Sequence, residues 1–291
     1  MDAIDIARAL SCWTGPVEPV RIEGGISNEN FVIDDGGQKF VVRVNGDVPV
    51  HGVLRANDYA CNSAAASVGI APRIFHYEPG VIVAEFVDGR TYGEEDVAVQ
   101  ANLERILPLI RTTHFDAFRA IRGPVCAFWP FRVCRDYAFH LEEFSSRMVP
   151  DLPRLRAIND ALENAVGAVD LVLGHNDLLA ANFIDDGDRI WLIDWEHSGF
   201  TSPLFDLANL SSNNALSPEQ ESWLLENYFE RRPDDHLRHR YQAMKCASLL
   251  REAMWSMVSE FTSSLDFDYV AYSDNYMERF AQEYKIFQEQ E

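Results

Sequence analysis

Disulfide frameworks, clustered metal ligands and membrane spans are what this sequence does not offer. Its five cysteines, Cys12, Cys61, Cys126, Cys134 and Cys246, are scattered and odd in number. No CxxC pair occurs, which argues against a thioredoxin motif and a zinc cluster. Reduced thiols in a cytoplasmic protein are the simplest account. No uncharged apolar run approaches the roughly 18 residues of a membrane span. The opening MDAIDIARAL carries two aspartates and no basic stretch, so it does not read as a signal peptide. Internal repeats, low-complexity runs and flexible linkers are missing as well.

Positive charge is also scarce. The chain sets 25 Lys and Arg against 46 Asp and Glu, a formal net charge of −21. A field of that sign repels phosphate backbones and argues against a nucleic-acid partner. It attracts cations, so a cationic small substrate fits; plain solubility explains the excess equally well. What the chain does have is apolar material, 47% of 291 residues, ample for a buried core.

The front of the chain alternates. A short helix is expected over 2–12, then strands over 20–23, 31–34 and 39–44, with Asp35-Gly36-Gly37 as a hairpin turn. These three strands should pair antiparallel in sequence order. An alanine-rich helix follows over 52–68, and two more strands over 72–77 and 81–86. The remainder is mainly helical, with apolar residues at helical spacing over 94–113, 129–147 and 153–169. A β-like island occupies 171–173, 182–184 and 190–193. Helices resume over 218–231, 236–261 and 269–288. The expectation is an α+β, two-lobed chain. A small five-stranded antiparallel lobe with one helix spans 1–88, and a larger, mainly helical lobe spans 89–291.

The most informative segment is GHNDLLAANFIDDGDRIWLIDWE, residues 174–196. It sets His175-x-Asp177, then Asn182, then Asp194 at the end of an apolar strand. Phosphoryl transfer uses such a set: one carboxylate orients the attacking hydroxyl and accepts its proton, while an amide oxygen and a second carboxylate hold Mg²⁺. H-x-D-x-x-x-x-N followed by a metal aspartate is the kinase catalytic-loop pattern. Asp177 is then the base, and Asn182 and Asp194 are the metal ligands. Hard oxygen ligands suit Mg²⁺. Asp and Asn are also ordinary turn residues; the ordered set on a strand–turn–strand frame favours the catalytic reading. Asp185, Asp186 and Asp188 lack the spacing of a calcium loop. His175 reads as a packed, hydrogen-bonded histidine.

Gly24, Gly25, Ser27 and Asn28 lie between two strands, not between a strand and a helix. That placement excludes a Walker A loop and a dinucleotide fingerprint. Such a loop covers phosphates with backbone N–H groups, or is a plain hairpin turn. Arg43, in the strand FVVRV, faces either solvent or a cleft. In the cleft it would hold the α- and β-phosphates, with Asp58 on the following helix as its acid.

Taken together, these residues resemble the choline/ethanolamine kinase family, within the group that includes aminoglycoside phosphotransferases. The likeness runs over nearly the whole chain. GGISNENF is similar to the family's nucleotide loop, FVVRVNG to its third strand, and EFVDGR to its hinge. GHNDLLAAN and LIDWEHSG resemble its catalytic and metal motifs. SPLFDLAN, with Asp206 and Asn209, resembles the segment that braces the catalytic loop. REAMWSMVSEFTSSLDFDYVAY resembles the stretch that lines its choline pocket.

The resemblance implies a bilobal, protein-kinase-like fold and ATP- and Mg²⁺-dependent phosphorylation of a small, cationic alcohol such as choline or ethanolamine. Thiamine, an aminoglycoside, a sugar or a hydroxy acid are alternative acceptors, and a nucleotide-binding pseudoenzyme is an alternative of another class. Adenine would lie against the hinge at Glu85 and Val87. Glu196, Glu252, Trp255, Phe267 and Tyr272 would face the acceptor, the aromatics holding an ammonium by cation–π attraction or packing as core. The family's first cage tryptophan is Glu252 here, which would hold an amine by charge. Its metal-motif tyrosine is His197, a further acid is Asn213, and its helix glutamate is Asp58. A homodimer is left open.

Overall fold

The protein is described by a computed structural model over residues 2–22 and 29–290. Helix α1 (Ala3–Ala9) precedes strands β1 (Val20–Arg21), β2 (Glu29–Asp35) and β3 (Gln38–Val44). A 3₁₀ turn (Pro49–His51) leads into α2 (Arg55–Ser67), followed by β4 (Ile74–Glu78), β5 (Val81–Glu85) and the short β6 (Arg90–Thr91). Then come α3 (Glu94–Val97), α4 (Gln100–Thr112), a π turn (Thr113–Ala117), α5 (Phe118–Ala120), α6 (Pro130–Glu143) and α7 (Leu152–Val166). Three short strands, β7 (Val172–Gly174), β8 (Phe183–Asp185) and β9 (Ile190–Leu192), precede β10 (Gly199–Thr201). Helices α8 (Pro203–Asn213), α9 (Pro218–Phe229), α10 (Asp235–Thr262) and α11 (Tyr269–Glu289) complete the fold.

The first five strands form one antiparallel sheet in the order β1-β2-β3-β5-β4. The expected α+β class holds: this sheet, one long helix, then a larger helical part. The turn between β2 and β3 is Gly36-Gly37, with φ of 66° and 91°. Positive φ at both positions matches the twist of the flanking strands, and only glycine takes it freely. Period-two alternation then sorts β3. Phe40, Val42 and Val44 are buried, while Val41 and Arg43 lie on the opposite face.

Two cores result. The buried face of the sheet packs with Ala7, Leu10 and Val17 around Phe31, Ile33 and Val83. The larger core gathers α4 and α6 to α11, and α2 contributes Cys61, Ala64 and Ala65 to it. Small side chains let α2 approach closely, so this helix follows the sheet's third strand in sequence but packs with the helical part.

Several element limits differ from the sequence expectation. The helix expected over 52–68 begins at Arg55, because Gly52 takes φ 70° and closes the 3₁₀ turn instead. The helix expected over 94–113 divides at Ala98 into α3 and α4. Asn182 closes a 3₁₀ turn (Ala180–Asn182) before β8 and is not in the strand itself. Helix α8 was not expected as a helix at all. Its Pro203 occupies the first turn, where a missing N–H costs nothing, and Ser202 caps it by accepting from the Leu204 N–H.

Strands β7 and β10 pair so that Gly174 faces Gly199. A Cβ on Gly174 would collide with Thr201 Cγ2 and lie 2.8 Å from Asn176 Oδ1 and 3.3 Å from Asp206 Oδ1. Gly174→Ala is therefore expected to destabilise the protein by about 1–3 kcal/mol through overpacking. Denaturant unfolding checks this, and an unchanged midpoint would contradict it.

Candidate active site

The segment after β7 turns on side chains from α8. The Asp206 carboxylate accepts hydrogen bonds from the backbone N–H of His175 at 2.8 Å and of Asn176 at 2.7 Å. Asn209 Oδ1 accepts from the Leu178 N–H at 2.6 Å, and Asn214 Nδ2 donates to the Leu178 carbonyl at 2.9 Å. Clamped this way, Asn176 holds φ 66°, the left-handed region that costs a non-glycine residue about 1–3 kcal/mol. Its amide donates to the His197 carbonyl at 3.0 Å. Asp177 follows directly.

Asp206 is itself fully enclosed. Burial alone would raise its pKa. Contact with the His114 ring at 3.0 Å and the His175 backbone N–H outweigh that, and the carboxyl sits below its usual range. His114 comes from the π turn, whose widened geometry carries its ring onto Asp206 at one nitrogen and onto the Tyr228 hydroxyl at the other, 2.7 Å away. His175 packs edge-on to Trp195 with its Nε2 at 2.9 Å from the Ile193 carbonyl, a buried histidine as expected.

Asn182 Nδ2 donates to the Asp177 carbonyl at 2.8 Å and to its Oδ2 at 3.3 Å. The Ile193 N–H bonds to the Asn182 carbonyl at 3.0 Å, which sets Asp194 beside this turn. Asp194 also holds a left-handed backbone, φ 65°. With its nitrogen engaged, the Asn182 amide offers its oxygen. An amide oxygen and a carboxylate are the hard donors that Mg²⁺ takes alongside water and phosphate oxygens. Among the described residues, no group of three or more His, Cys, Asp and Glu is placed to hold a metal ion.

Arg43 crosses from β3 to this region. Its Nη1 lies 3.2 Å from Asp58, 3.0 Å from Asp194 and 3.9 Å from Glu196. Arg55 lies 2.8 Å from Glu196 and 3.3 Å from Asp58, and its Nε donates to the Gly46 carbonyl at 2.8 Å. Three carboxylates thus share two guanidiniums across the line between sheet and helices. Burial, Glu196 and Asp58 push the Asp194 carboxyl up against the pull of Arg43. Glu196 is held low by His197, Arg43 and Arg55 despite its burial.

The sequence-predicted acceptor residues divide. Glu252 accepts from the Tyr272 hydroxyl at 3.0 Å and from Arg251 Nη1 at 2.8 Å. The Trp255 ring meets Tyr272 at 6.1 Å, and Phe267 meets Tyr272 at 5.6 Å. Glu196 stands with the arginine cluster. Glu85 lies opposite Phe40 at the end of β5, its carboxylate on Arg73, and Val87 is half-buried just beyond. Gly24, Gly25, Ser27 and Asn28 lie outside the described residues.

Sequence reasoning missed Arg55, Arg251, His114 and Asn214. Arg251 is buried beside the catalytic aspartate candidate, its Nη2 at 3.1 Å from the Asn176 carbonyl and 3.7 Å from Asp177. It also opposes the rise in the Asp177 pKa caused by burial and by Glu252, Asp194 and Glu196. Adjacency to Glu252 and three-residue spacing from Asp58 were the only sequence signals for Arg251 and Arg55. His51 was missed too: it touches the Tyr137 hydroxyl and Ser259 Oγ, both at 3.3 Å, and its ring is 5.8 Å from Trp255.

Comparison with known proteins places these residues in context. A family model described as choline/ethanolamine kinase matches residues 20–232. The chain is 28% identical over 210 residues to Protein LicA of Haemophilus influenzae, covering 70% of this chain and 61% of that protein. It is 25% identical over 302 residues to ethanolamine kinase 2 of Mus musculus, covering 93% and 76%. The solved structure of a choline/ethanolamine kinase family protein from Mesorhizobium loti superposes with a TM-score of 0.75 at 27% identity, covering 96% and 94%.

The clamp predicts an acid-side signature. Because the folded-state pKa of Asp206 lies below its unfolded value of 3.8, its stabilisation is present above that value and is lost as pH falls through the folded-state pKa. Asp206→Asn is expected to cost about 2–5 kcal/mol at neutral pH and to lose less stability than the parent between about pH 5 and pH 2. Unfolding curves across that range check it, and parallel curves would contradict it.

Proposed function

The chain belongs to the choline/ethanolamine kinase family, and from that membership we propose that it transfers the γ-phosphoryl group of ATP to the hydroxyl of a small cationic alcohol. The observation that carries this reading is the clamped Asp177, gripped by Asn182 within a braced loop while Asp194 stands beside the same turn. In this reading residues 1–88 hold the nucleotide and 89–291 hold the acceptor. Five dispersed free cysteines suit a reducing compartment, and we place the enzyme in the cytoplasm. Among the described residues no helix is long and apolar enough to cross a membrane.

Asp177 accepts the hydroxyl proton and keeps its oxygen in line with the γ-phosphorus. The bond formed joins acceptor oxygen to phosphorus, the bond broken joins phosphorus to the β–γ bridging oxygen, and ADP leaves. Asn182 and Asp194 would hold Mg²⁺, which would supply charge neutralisation on the phosphates. Arg43 would turn its guanidinium to the α- and β-phosphates, with Asp58 of α2 holding its Nη1. Glu85 and Val87 are assigned to the purine, and Gly24, Gly25, Ser27 and Asn28, outside the described residues, are assigned to the phosphates from the sequence. Glu196 acts through Arg55 rather than on the acceptor. Most of the rate gain comes from positioning and charge neutralisation.

Asp177→Asn keeps the shape of the loop and removes the base. It is expected to lower kcat by about 10²–10⁴-fold while the Kd for ATP changes little. ADP release with Mg-ATP and ethanolamine, beside calorimetric ATP titration, checks both. Unchanged turnover would remove Asp177 from its role.

A further inference from the structure

The wall of the acceptor region is richer in hydrogen-bond acceptors than an aromatic cage requires. Glu252 is almost fully buried on α10. Each of its oxygens takes one hydrogen bond, from Tyr272 and from Arg251. A carboxylate accepts about four hydrogen bonds, so two positions remain. Burial and the Glu252 charge hold Tyr272 as a neutral phenol. Its proton is committed to Glu252, and the neighbouring Tyr276 hydroxyl bonds to the same phenol.

Asn213 adds a further acceptor. It lies four residues after Asn209 on α8, and therefore on the same helix face. Asn209 reaches Ser248 of α10 at 3.1 Å, one turn before Glu252. Ser212 Oγ meets the same Ser248 hydroxyl at 3.0 Å, and Arg279, stacked on Tyr276, donates to the Ser212 carbonyl. Asn213 is thus set near the junction of α8, α10 and α11, where Tyr272 and Tyr276 stand 4.7 Å apart. It is buried, and neither its amide oxygen nor its amide nitrogen has a partner among the described residues. A buried amide left unpaired costs stability and calls for a ligand or another cause.

We propose that Glu252, Tyr272 and Asn213 make the acceptor site specific for alcohols whose ammonium carries N–H groups, and that quaternary ammonium alcohols are poor acceptors. The proposal rests on Asp177 as the seat of the acceptor hydroxyl. An ammonium with N–H groups donates to the spare oxygens of Glu252 and to the Asn213 carbonyl oxygen. A trimethylammonium donates nothing, and its methyl groups leave those oxygens desolvated and unpaired. Trp255 and Phe267 supply one or two aromatic faces, which favour any cation without telling the two classes apart.

The test is kcat/KM, at saturating Mg-ATP, for ethanolamine, its N-methyl and N,N-dimethyl derivatives and choline. The first three should be used, and choline should fall at least about tenfold below dimethylethanolamine, where the last N–H is lost. Glu252→Gln should shrink that step while the KM for ATP holds. Asn213→Leu separates binding from folding: it should raise the KM for ethanolamine at least several-fold and leave thermal stability equal or higher, because it removes an unpaired buried amide. Choline used as well as ethanolamine, or an undiminished step in Glu252→Gln, overturns the specificity while leaving the kinase reading intact. A fall in stability with unchanged KM in Asn213→Leu overturns the part given to Asn213. Turnover of none of the four alcohols by the parent protein overturns the acceptor reading itself, and this inference with it.

Discussion

One buried carboxylate organises the loop that carries Asp177. Asp206 has left water entirely, a cost of several kcal/mol unless its charge is matched. Two backbone N–H groups and the His114 ring match it. The consequence is geometric. With the N–H groups of His175 and Asn176 fixed to one carboxylate, the chain enters the left-handed conformation at Asn176, and Asp177 emerges at a set point. Asn209 of the same helix and Asn214, its C-cap, fix Leu178. The loop therefore takes its shape from α8. Arg251 adds a tie from α10, so two buried helices hold one short loop.

A second constraint joins the sheet to the helices. Arg43 belongs to β3 and Asp58 to α2, whereas Asp194 and Glu196 follow β9. The two guanidiniums and three carboxylates are mostly covered, so each charge depends on the others. Removing any one would leave an uncompensated charge in a low-dielectric setting. The same arrangement suits a nucleotide. The excess negative charge among the protein groups would draw a divalent cation, and Arg43 would turn from Asp194 to the phosphates when the cation takes its place. The alanine face of α2, sunk into the larger core, keeps Asp58 at a fixed distance from both parts.

Much of this was legible in the sequence, for identifiable reasons. The hairpin at Gly36-Gly37 and the strands beside it follow from turn chemistry and from alternation that is strictly local. Asp177, Asn182 and Asp194 were legible because their spacing is tied to a strand–turn–strand frame. Helix α8 was harder to see: it is buried on every side, and its polar residues, Asp206, Asn209, Ser211, Ser212 and Asn213, lie inside instead of forming the solvent-facing stripe that marks a surface helix. Its meaning came only from the resemblance of SPLFDLAN to a bracing segment. Arg55, Arg251 and His114 were hard to see because, beyond the near neighbours Asp58 and Glu252, their partners lie far along the chain: Glu196 is 141 residues from Arg55, Asp206 is 92 from His114 and Asn176 is 75 from Arg251. Long-range charge pairing leaves no local signature. Glu252 stood out as a departure from an aromatic pattern, but its bonds to Arg251 and Tyr272 needed coordinates.

The central claim is that this site moves a phosphoryl group onto an alcohol instead of merely binding or hydrolysing a nucleotide. Phosphorus NMR of the protein with Mg-ATP and ethanolamine tests it most directly. The account predicts a growing phosphomonoester resonance at the rate the γ-phosphate signal decays. Decay of that signal into inorganic phosphate alone, or no decay with ATP bound, would contradict it.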